Sequence, residues 1–474
     1  MVWDYINTVD RARELGTTVD QLKIIGSGPV PADGATAIVS GSPPSGGSPT
    51  LDDSQLNATG APSNFSAIAS EGLPEADPVK TSLRHLCFGV ASAASSWGRR
   101  KAIVRTWWRP GETRGSVWMD FRVRTDDGDP EIRVSEPTPP WKFHYTGGGV
   151  RGYIRITRIF IEMFRLGEPD IRWFVMGDDD TIFNQDALVE VLARYDHTQK
   201  LYFGGISETH MQNVAHSHNM AFGGGGIVMS YPLVLALNST LDNCMERHTE
   251  VWGSDGRLAV CTAELGVHVI HAKGFHQCDL GDSLSGLLEA HSVMPFISLH
   301  HVLQVPPVIP YLSSRITSLE MFVQAMRPDP LGFLQQSICY DKSRNARRWT
   351  MSIAWGYSVK VYPKILRMKE LLRAETTFVA YLGGQDSSHF TFDVRPARPQ
   401  LFWYLGQDPE RQIPRCGFPF ILYVTSVRML ADGSVESVYK RWPRLPPTRR
   451  ICPMPIMQIP ESAQLVLLKK AVEA

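Results

Sequence analysis

Apolar residues in this chain alternate between two spacings. His85 to Ala91 (HLCFGVA) is a continuous apolar run of strand length, and Arg99 to Trp108 follows with a helical pattern ended by Pro110. Val117 to Val123 is a second strand candidate. From Gly152 to Leu166, Ile156, Ile159, Phe160, Met163 and Phe164 share one helical face, with Gly167 as the stop. Ile171 to Met176 (IRWFVM) again has strand character, and Asn184 caps a helix running through Leu188, Val191, Leu192 and Tyr195. Strand and helix alternating at these lengths predict an α/β fold, an open and largely parallel sheet covered on both faces. Ala221 to Leu237 is also apolar, but its glycines and proline make it buried core rather than a membrane span.

The pattern changes on either side of this region. Ile6, Val9, Leu15, Val19, Leu22 and Ile24 are roughly periodic, so residues 1–25 predict a short helix. Residues 26–82 are rich in Gly, Pro, Ser and Ala, too poor in apolar surface to offset chain entropy, and read as a disordered linker. The α/β domain then covers 83–312. Over 313–474 the runs Trp349–Trp355, Tyr357–Tyr362, Phe390–Val394, Phe418–Val424 and Val435–Tyr439 predict a β-rich C-terminal unit.

Composition narrows the functional classes. The 48 basic residues balance 48 acidic ones, which argues against a cationic nucleic-acid binder, although residues 313–474 carry 23 basic against 13 acidic groups. No run of about 18 apolar residues and no signal-peptide pattern occurs in the 474 residues. Seven cysteines form no Cys-x-x-Cys pair, which disfavours zinc ribbons and thioredoxin-type sites. Sequons at Asn57, Asn64 and Asn238 lean weakly toward a secretory lumen.

The sharpest chemical signal is Trp173-Phe174-Val175-Met176-Gly177-Asp178-Asp179-Asp180-Thr181. Three carboxylates follow a buried strand at its C-terminal end, where open α/β sheets place ligands. Period-2 alternation puts Asp178 and Asp180 on one side and Asp179 on the other. A hard divalent cation would relieve their repulsion and leave positions for phosphate oxygens. A solvated acidic turn or a helix cap is the plainer alternative, but Asn184 already supplies the cap. Phe222-Gly223-Gly224-Gly225-Gly226-Ile227 marks backbone that must approach something closely, though a glycine run is as often a bend. Trp252-Gly253-Ser254-Asp255-Gly256-Arg257 lies between Cys244 and Cys261. His276, His300 and His301 are candidate ligands downstream of the acids, while a core histidine is the commoner case.

Together these segments resemble the fringe-like glycosyltransferases of glycosyltransferase family 31, most of all a plant subgroup filed as a domain of unknown function. The likeness rests on Trp107-Trp108-Arg109-Pro110, Arg155 to Ile159, Arg172 to Thr181, Met220 to Gly226 with Ser230-Tyr231-Pro232, and Gly274-Phe275-His276-Gln277. It continues through Gln335 to Lys342 and Ser352 to Tyr357. The resemblance implies a GT-A type domain, with a Rossmann-like open mixed sheet. It also implies inverting transfer of a hexosyl group from a UDP-sugar to a hydroxyl of a glycan or glycoconjugate. It implies Mn²⁺ held by Asp180 and a histidine near the domain's end, His301 in preference to His276, with His300 as a substitute. Asp178, Asp179, Gly224 and Gly225 would contact the donor. A carboxylate after the glycine segment would be the base, favoured by an arginine such as Arg257. Relatives carry two acids where this chain has Asp255-Gly256. Asp255 therefore serves if the first position is the base; otherwise the protein is a catalytically impaired binder of glycan or nucleotide sugar. Other metal- and nucleotide-using enzymes, nucleotidyltransferases or phosphohydrolases, remain the outside class. The family also implies the Golgi lumen, as a type II membrane protein with residues 26–80 as stem; no anchor span lies in these residues. Cys244 and Cys261 bracket the loop of Asp255 and are expected to pair if the chain enters the secretory pathway.

Overall fold

A computed structural model describes residues 22–25, 80–138, 150–290, 295–341, 349–362, 364–384, 387–397, 419–442 and 464–472. Seven strands build the first sheet: β1 (Leu86–Ala91), β2 (Arg114–Met119), β3 (Ile132–Val134), β4 (Trp173–Asp178), β5 (Tyr202–Gly204), β6 (Ile227–Ser230) and β7 (Val269–His271). Their spatial order is β3-β2-β1-β4-β6-β5-β7. The β1–β4 and β1–β2 pairs are parallel, whereas β6 runs antiparallel to both β4 and β5. The sheet is therefore open and mixed, as expected for the α/β class.

Both faces are covered, which is why β1 and β4 read as unbroken apolar runs. Cys87 and Ala91 of β1 and Phe174 and Met176 of β4 face α2 (Val150–Arg165), α4 (Tyr231–Arg247) and α5 (Gly253–Glu264). Leu86, Phe88 and Val90, with Trp173 and Val175, face α1 (Ala94–Trp107) and α3 (Gln185–Leu192). Asn184 caps α3 as expected, its side chain accepting from the Ala187 amide.

The C-terminal unit is an antiparallel sheet of β8 (Gln336–Asp341), β9 (Trp349–Ala354), β10 (Ser358–Tyr362), β11 (Phe420–Met429), β12 (Ser434–Arg441) and β13 (Gln464–Lys470). Two expectations are corrected. Leu22–Ile25 is a strand, paired antiparallel with β13, not part of a helix. The open edge of β13 offers its backbone a full set of partners, which a short isolated helix cannot match. Residues 1–21 and the expected linker up to residue 79 lie outside the described residues. Phe390–Val394 is not a continuous strand either: Phe390 packs against Phe378 and Phe392 and makes one isolated bridge to Thr209, while Val394–Arg395 pairs with Ala374–Glu375. Aromatic burial anchors that loop without a ladder.

One apolar cluster passes from the first sheet through α6 (Arg315–Met326) into the second, joining Phe88 and Val175 with Phe322, Ile353 and Val359. Beside it, buried Lys360 pairs with Glu289 (2.5 Å) and Glu375 (3.2 Å), and Arg395 pairs with Glu375 (2.8 Å). Glu289 precedes α6 in the chain and Lys360 lies on β10, so this network ties the two units together. Replacing Lys360 by Met removes Glu289's cation in a dry site. A loss of about 3–5 kcal/mol is expected in chemical denaturation, with part recovered in Lys360→Met/Glu289→Gln.

Candidate active site

The first sheet ends in a buried concentration of carboxylates. The Asp179 side chain turns to the α1 face, opposite its two neighbours. Its Oδ2 accepts from Ser92 Oγ (2.7 Å) and Ser96 Oγ (3.0 Å), and its Oδ1 from Arg100 (2.5 Å). Expected to contact a donor, Asp179 instead clamps the end of β4 to the start of α1. Arg100, Ser92 and Ser96 went unpredicted; the only hint was the basic run Arg99-Arg100-Lys101 after the first strand.

Asp178 and Asp180 point together, as period 2 requires. His300 joins them, with Nε2 3.1 Å from Asp180 Oδ1 and 3.5 Å from Asp178 Oδ2. Arg100 lies 3.4 Å from the same Asp180 oxygen. Desolvation pushes the Asp178 carboxyl up to about 6, although its side chain still shows 37% of its surface. Burial also disfavours the Asp180 anion, but His300 and Arg100 hold its carboxyl below the ordinary range. Burial opposes the imidazolium of His300, and Asp180 and Asp178 hold it above the ordinary value. Asp180 Oδ1 and His300 Nδ1 are both buried without a hydrogen-bond partner, despite these close ionic contacts. One ligand atom from each of Asp178, Asp180 and His300 lies within 4.8 Å of the others, a spacing suited to one divalent cation.

A small three-stranded sheet brings His300 to this place. Ser298–Leu299 lies between Phe275–His276, parallel, and Ile182–Phe183, antiparallel. The register sets Leu299 opposite Ile182, so the next residue, His300, comes level with the chain leaving the acids. His301 takes the left-handed conformation (φ 56°) and stacks on His300 at 3.8 Å between ring centres. Its Nδ1 faces Asp279 at 3.4 Å. The acids thus receive His300, not the favoured His301, which stacks behind it and turns its Nδ1 to Asp279. His276 is buried, with Nδ1 3.0 Å from Glu208 and Nε2 3.0 Å from the Pro295 carbonyl, and serves the packing.

The glycine segment does approach closely, but to protein. A Cβ on Gly224 would overlap the His300 ring, and the Gly225 amide donates to Gln277 Oε1 (2.8 Å). Gly223 donates to Asp255 Oδ2 (2.8 Å), and Ser254 Oγ to Asp255 Oδ1 (3.0 Å). Asp255 stands in the first turn of α5, a favourable place for a carboxylate, while burial raises its pKa against these two bonds. Arg257 reaches back to the His248 and Thr249 carbonyls. A cavity of about 220 Å³ opens beside Asp255, Gln277 and Trp252. Cys244 and Cys261 form a disulfide, as expected, with Cα atoms 5.8 Å apart.

Comparison with known proteins agrees with the resemblance read from the motifs. The family described as "Protein of unknown function, DUF604" matches residues 212–472, which include the glycine segment, Asp255 and His300. A human β-1,3-glucosyltransferase is 26% identical over 237 residues, 50% of this chain and 43% of that protein. Its mouse counterpart is 29% identical, over 38% of this chain and 36% of its own length. The β-1,3-N-acetylglucosaminyltransferase lunatic fringe of Xenopus laevis is 32% identical over 17% of this chain and 24% of its own. The chain therefore spans less than half the length of each of these relatives. A solved glycosyltransferase involved in glycosylation of the major capsid of PBCV-1 aligns with 49% of this chain and 97% of its own. Its identity is 12% and its TM-score 0.27, too low to bear on the fold.

The disulfide spans 17 residues and bolts α4 to α5, the helix that carries Asp255. Cys244→Ala/Cys261→Ala is expected to lose about 3 kcal/mol in urea denaturation, by the chain-entropy account. Equal midpoints with and without dithiothreitol for the wild type would reject that role.

Proposed function

From the premise that the chain belongs to the DUF604 family, we propose that it is a glycosyltransferase that moves a hexosyl group from a UDP-sugar to a hydroxyl of a glycan or glycoconjugate, with inversion. The carrying observation is the cluster of Asp178, Asp180 and His300, whose ligand atoms lie within 4.8 Å of one another and whose buried Asp180 Oδ1 lacks a hydrogen-bond partner. These residues would hold a divalent cation, Mn²⁺ by family resemblance, which supplies charge neutralisation for a diphosphate leaving group. Arg100 and the serines keep Asp179 on the opposite side, so the cluster retains two carboxylates. Gly224 keeps His300 in place by leaving room for its ring. Asp255, anchored by the Gly223 amide, accepts the proton of the acceptor hydroxyl. Burial raises its carboxyl, which places the acid limb of the rate profile above the ordinary aspartate range.

The disulfide suits an oxidising lumen, and we assign the protein to the Golgi on that ground and on the resemblance. Among the described residues no helix is long and apolar enough to cross a membrane.

A second reading is favoured by one observation. Both Asp255 oxygens already accept hydrogen bonds, and Gly256 supplies no second carboxylate. The protein would then bind donor and transfer slowly.

Titration calorimetry with UDP and Mn²⁺ tests the metal assignment. Asp180→Asn and His300→Ala are expected to lose Mn²⁺-dependent UDP binding, and His301→Ala to keep it. Loss in His301→Ala with retention in His300→Ala would reverse the two histidines. No uridine-nucleotide preference in the wild type would remove the donor assignment.

Turnover separates the two readings. Asp255→Asn is expected to slow UDP-sugar consumption by about 10²–10⁴-fold, the range for loss of a general base. If Gly256→Asp instead raises turnover about a hundredfold while Asp255→Asn changes nothing, the natural chain is the impaired form.

A further inference from the structure

We propose that a second metal site lies behind the Cys244–Cys261 bridge: once that disulfide is reduced, its two thiolates, with His248 and Glu264, bind one zinc ion. Cys244 stands in the last turn of α4, and His248, four residues on, is the C-cap of that helix, so the two share a face. Cys261 and Glu264 stand three apart in the last turn of α5. The disulfide joins the two pairs across the contact between the helices. One ligand atom from each of Cys244, His248 and Glu264 already lies within 4.8 Å of the others. His248 Nε2 is 2.9 Å from Glu264 Oε1, and the Cys261 sulfur is bonded to that of Cys244. Reduction therefore leaves two thiols, an imidazole and a carboxylate gathered around one point.

This donor set is softer than the acidic cluster. Paired thiolates select zinc, which takes four N, S or O ligands in a tetrahedron. The sulfurs must part until each stands about 2.3 Å from the ion, which rotation about the Cα–Cβ bonds provides. Both cysteines are buried, while the side chains of His248 and Glu264 keep 31% and 33% of their surface, so an ion has a way in. Glu250 lies 3.5 Å from His248 Nδ1, placed to hold the second ring nitrogen while Nε2 turns to the metal. Arg247 pairs with Glu264 and offsets the negative charge that two thiolates and a carboxylate leave on a divalent ion. A dithiol reductant opens the bridge by exchange. The protein's S–S bond breaks, the reductant closes its own disulfide, and two electrons with two protons pass to the cysteines. Zinc then displaces those two protons. Bridge and metal exclude each other, and either one staples α4 to α5.

The test uses the full chain carrying Asp180→Asn, which weakens the acidic cluster as a competing site, with Co²⁺ as a spectroscopic stand-in for zinc. Tris(2-carboxyethyl)phosphine reduces the bridge and itself becomes the phosphine oxide, taking its oxygen from water. The reduced chain is expected to show a thiolate-to-cobalt charge-transfer band and the strong visible bands of a tetrahedral ion, both bleached by Zn²⁺. The oxidised chain should show neither. In the same background, His248→Ala and Glu264→Gln should each weaken Zn²⁺ binding about tenfold or more, since even residues beyond the direct ligands act on this scale. Cys244→Ala/Cys261→Ala should abolish the charge-transfer band. Circular dichroism follows the fold of each form, and Zn²⁺ should raise the melting temperature of the reduced chain but not of the oxidised one. Absence of the band, its survival in the double cysteine variant, or equal affinity in both His248→Ala and Glu264→Gln would each overturn the proposal. So would a reduced chain that unfolds and stays unfolded with Zn²⁺.

Discussion

The crowding of three carboxylates at the buried end of one strand is the constraint on which the rest of the site depends. Like charges so close, with little water, demand compensation from several directions. Asp179 obtains it from Arg100, Ser92 and Ser96, which draws the start of α1 onto the end of β4. Asp178 and Asp180 obtain part of it from His300. That histidine needs its own space, and Gly224 supplies it by having no side chain. The neighbouring Gly223 then holds Asp255. Acids, histidine, glycine segment and α5 thus form one mechanically connected unit.

The C-terminal sheet is part of the same molecule in an energetic sense. A continuous apolar cluster passes through α6 between the two sheets, and Lys360 with Glu289, Glu375 and Arg395 closes the joint with buried ions. Such a network is poor evidence for extra stability, since desolvation offsets much of the attraction. It does fix how the two units meet. The family match over residues 212–472 runs from the later part of the first unit, with the glycine segment, to the last strand of the second. Ser298–Leu299, which positions His300, leads directly into the connection toward α6. The β-rich unit therefore braces the segment that completes the acidic cluster.

Much was legible in local pattern. Apolar runs marked β1 and β4, and helical periodicity marked α2, because burial on both faces or on one stripe leaves a direct trace in sequence. Asn184 announced its helix by a side-chain bond that reaches only three residues. The strand at Leu22–Ile25 was misread because its partner, β13, lies more than 400 residues away. The Phe390 segment was misread because aromatic packing resembles strand propensity when neighbours are unknown.

The sequence by itself determined that Asp178 and Asp180 share a side and that Asp179 does not, since alternation along a strand is a local property of the backbone. It also raised a close backbone approach at 223–226, with a bend as the equal alternative, without saying what approached. Only the tertiary structure decided which histidine meets the acids. That choice depends on the register of Ser298–Leu299 against Ile182–Phe183 and on the left-handed turn at His301. A one-residue shift would send the neighbouring ring there instead. Register between strands more than 100 residues apart is set by packing of the whole core, so adjacent His300 and His301 are indistinguishable until the chain is folded.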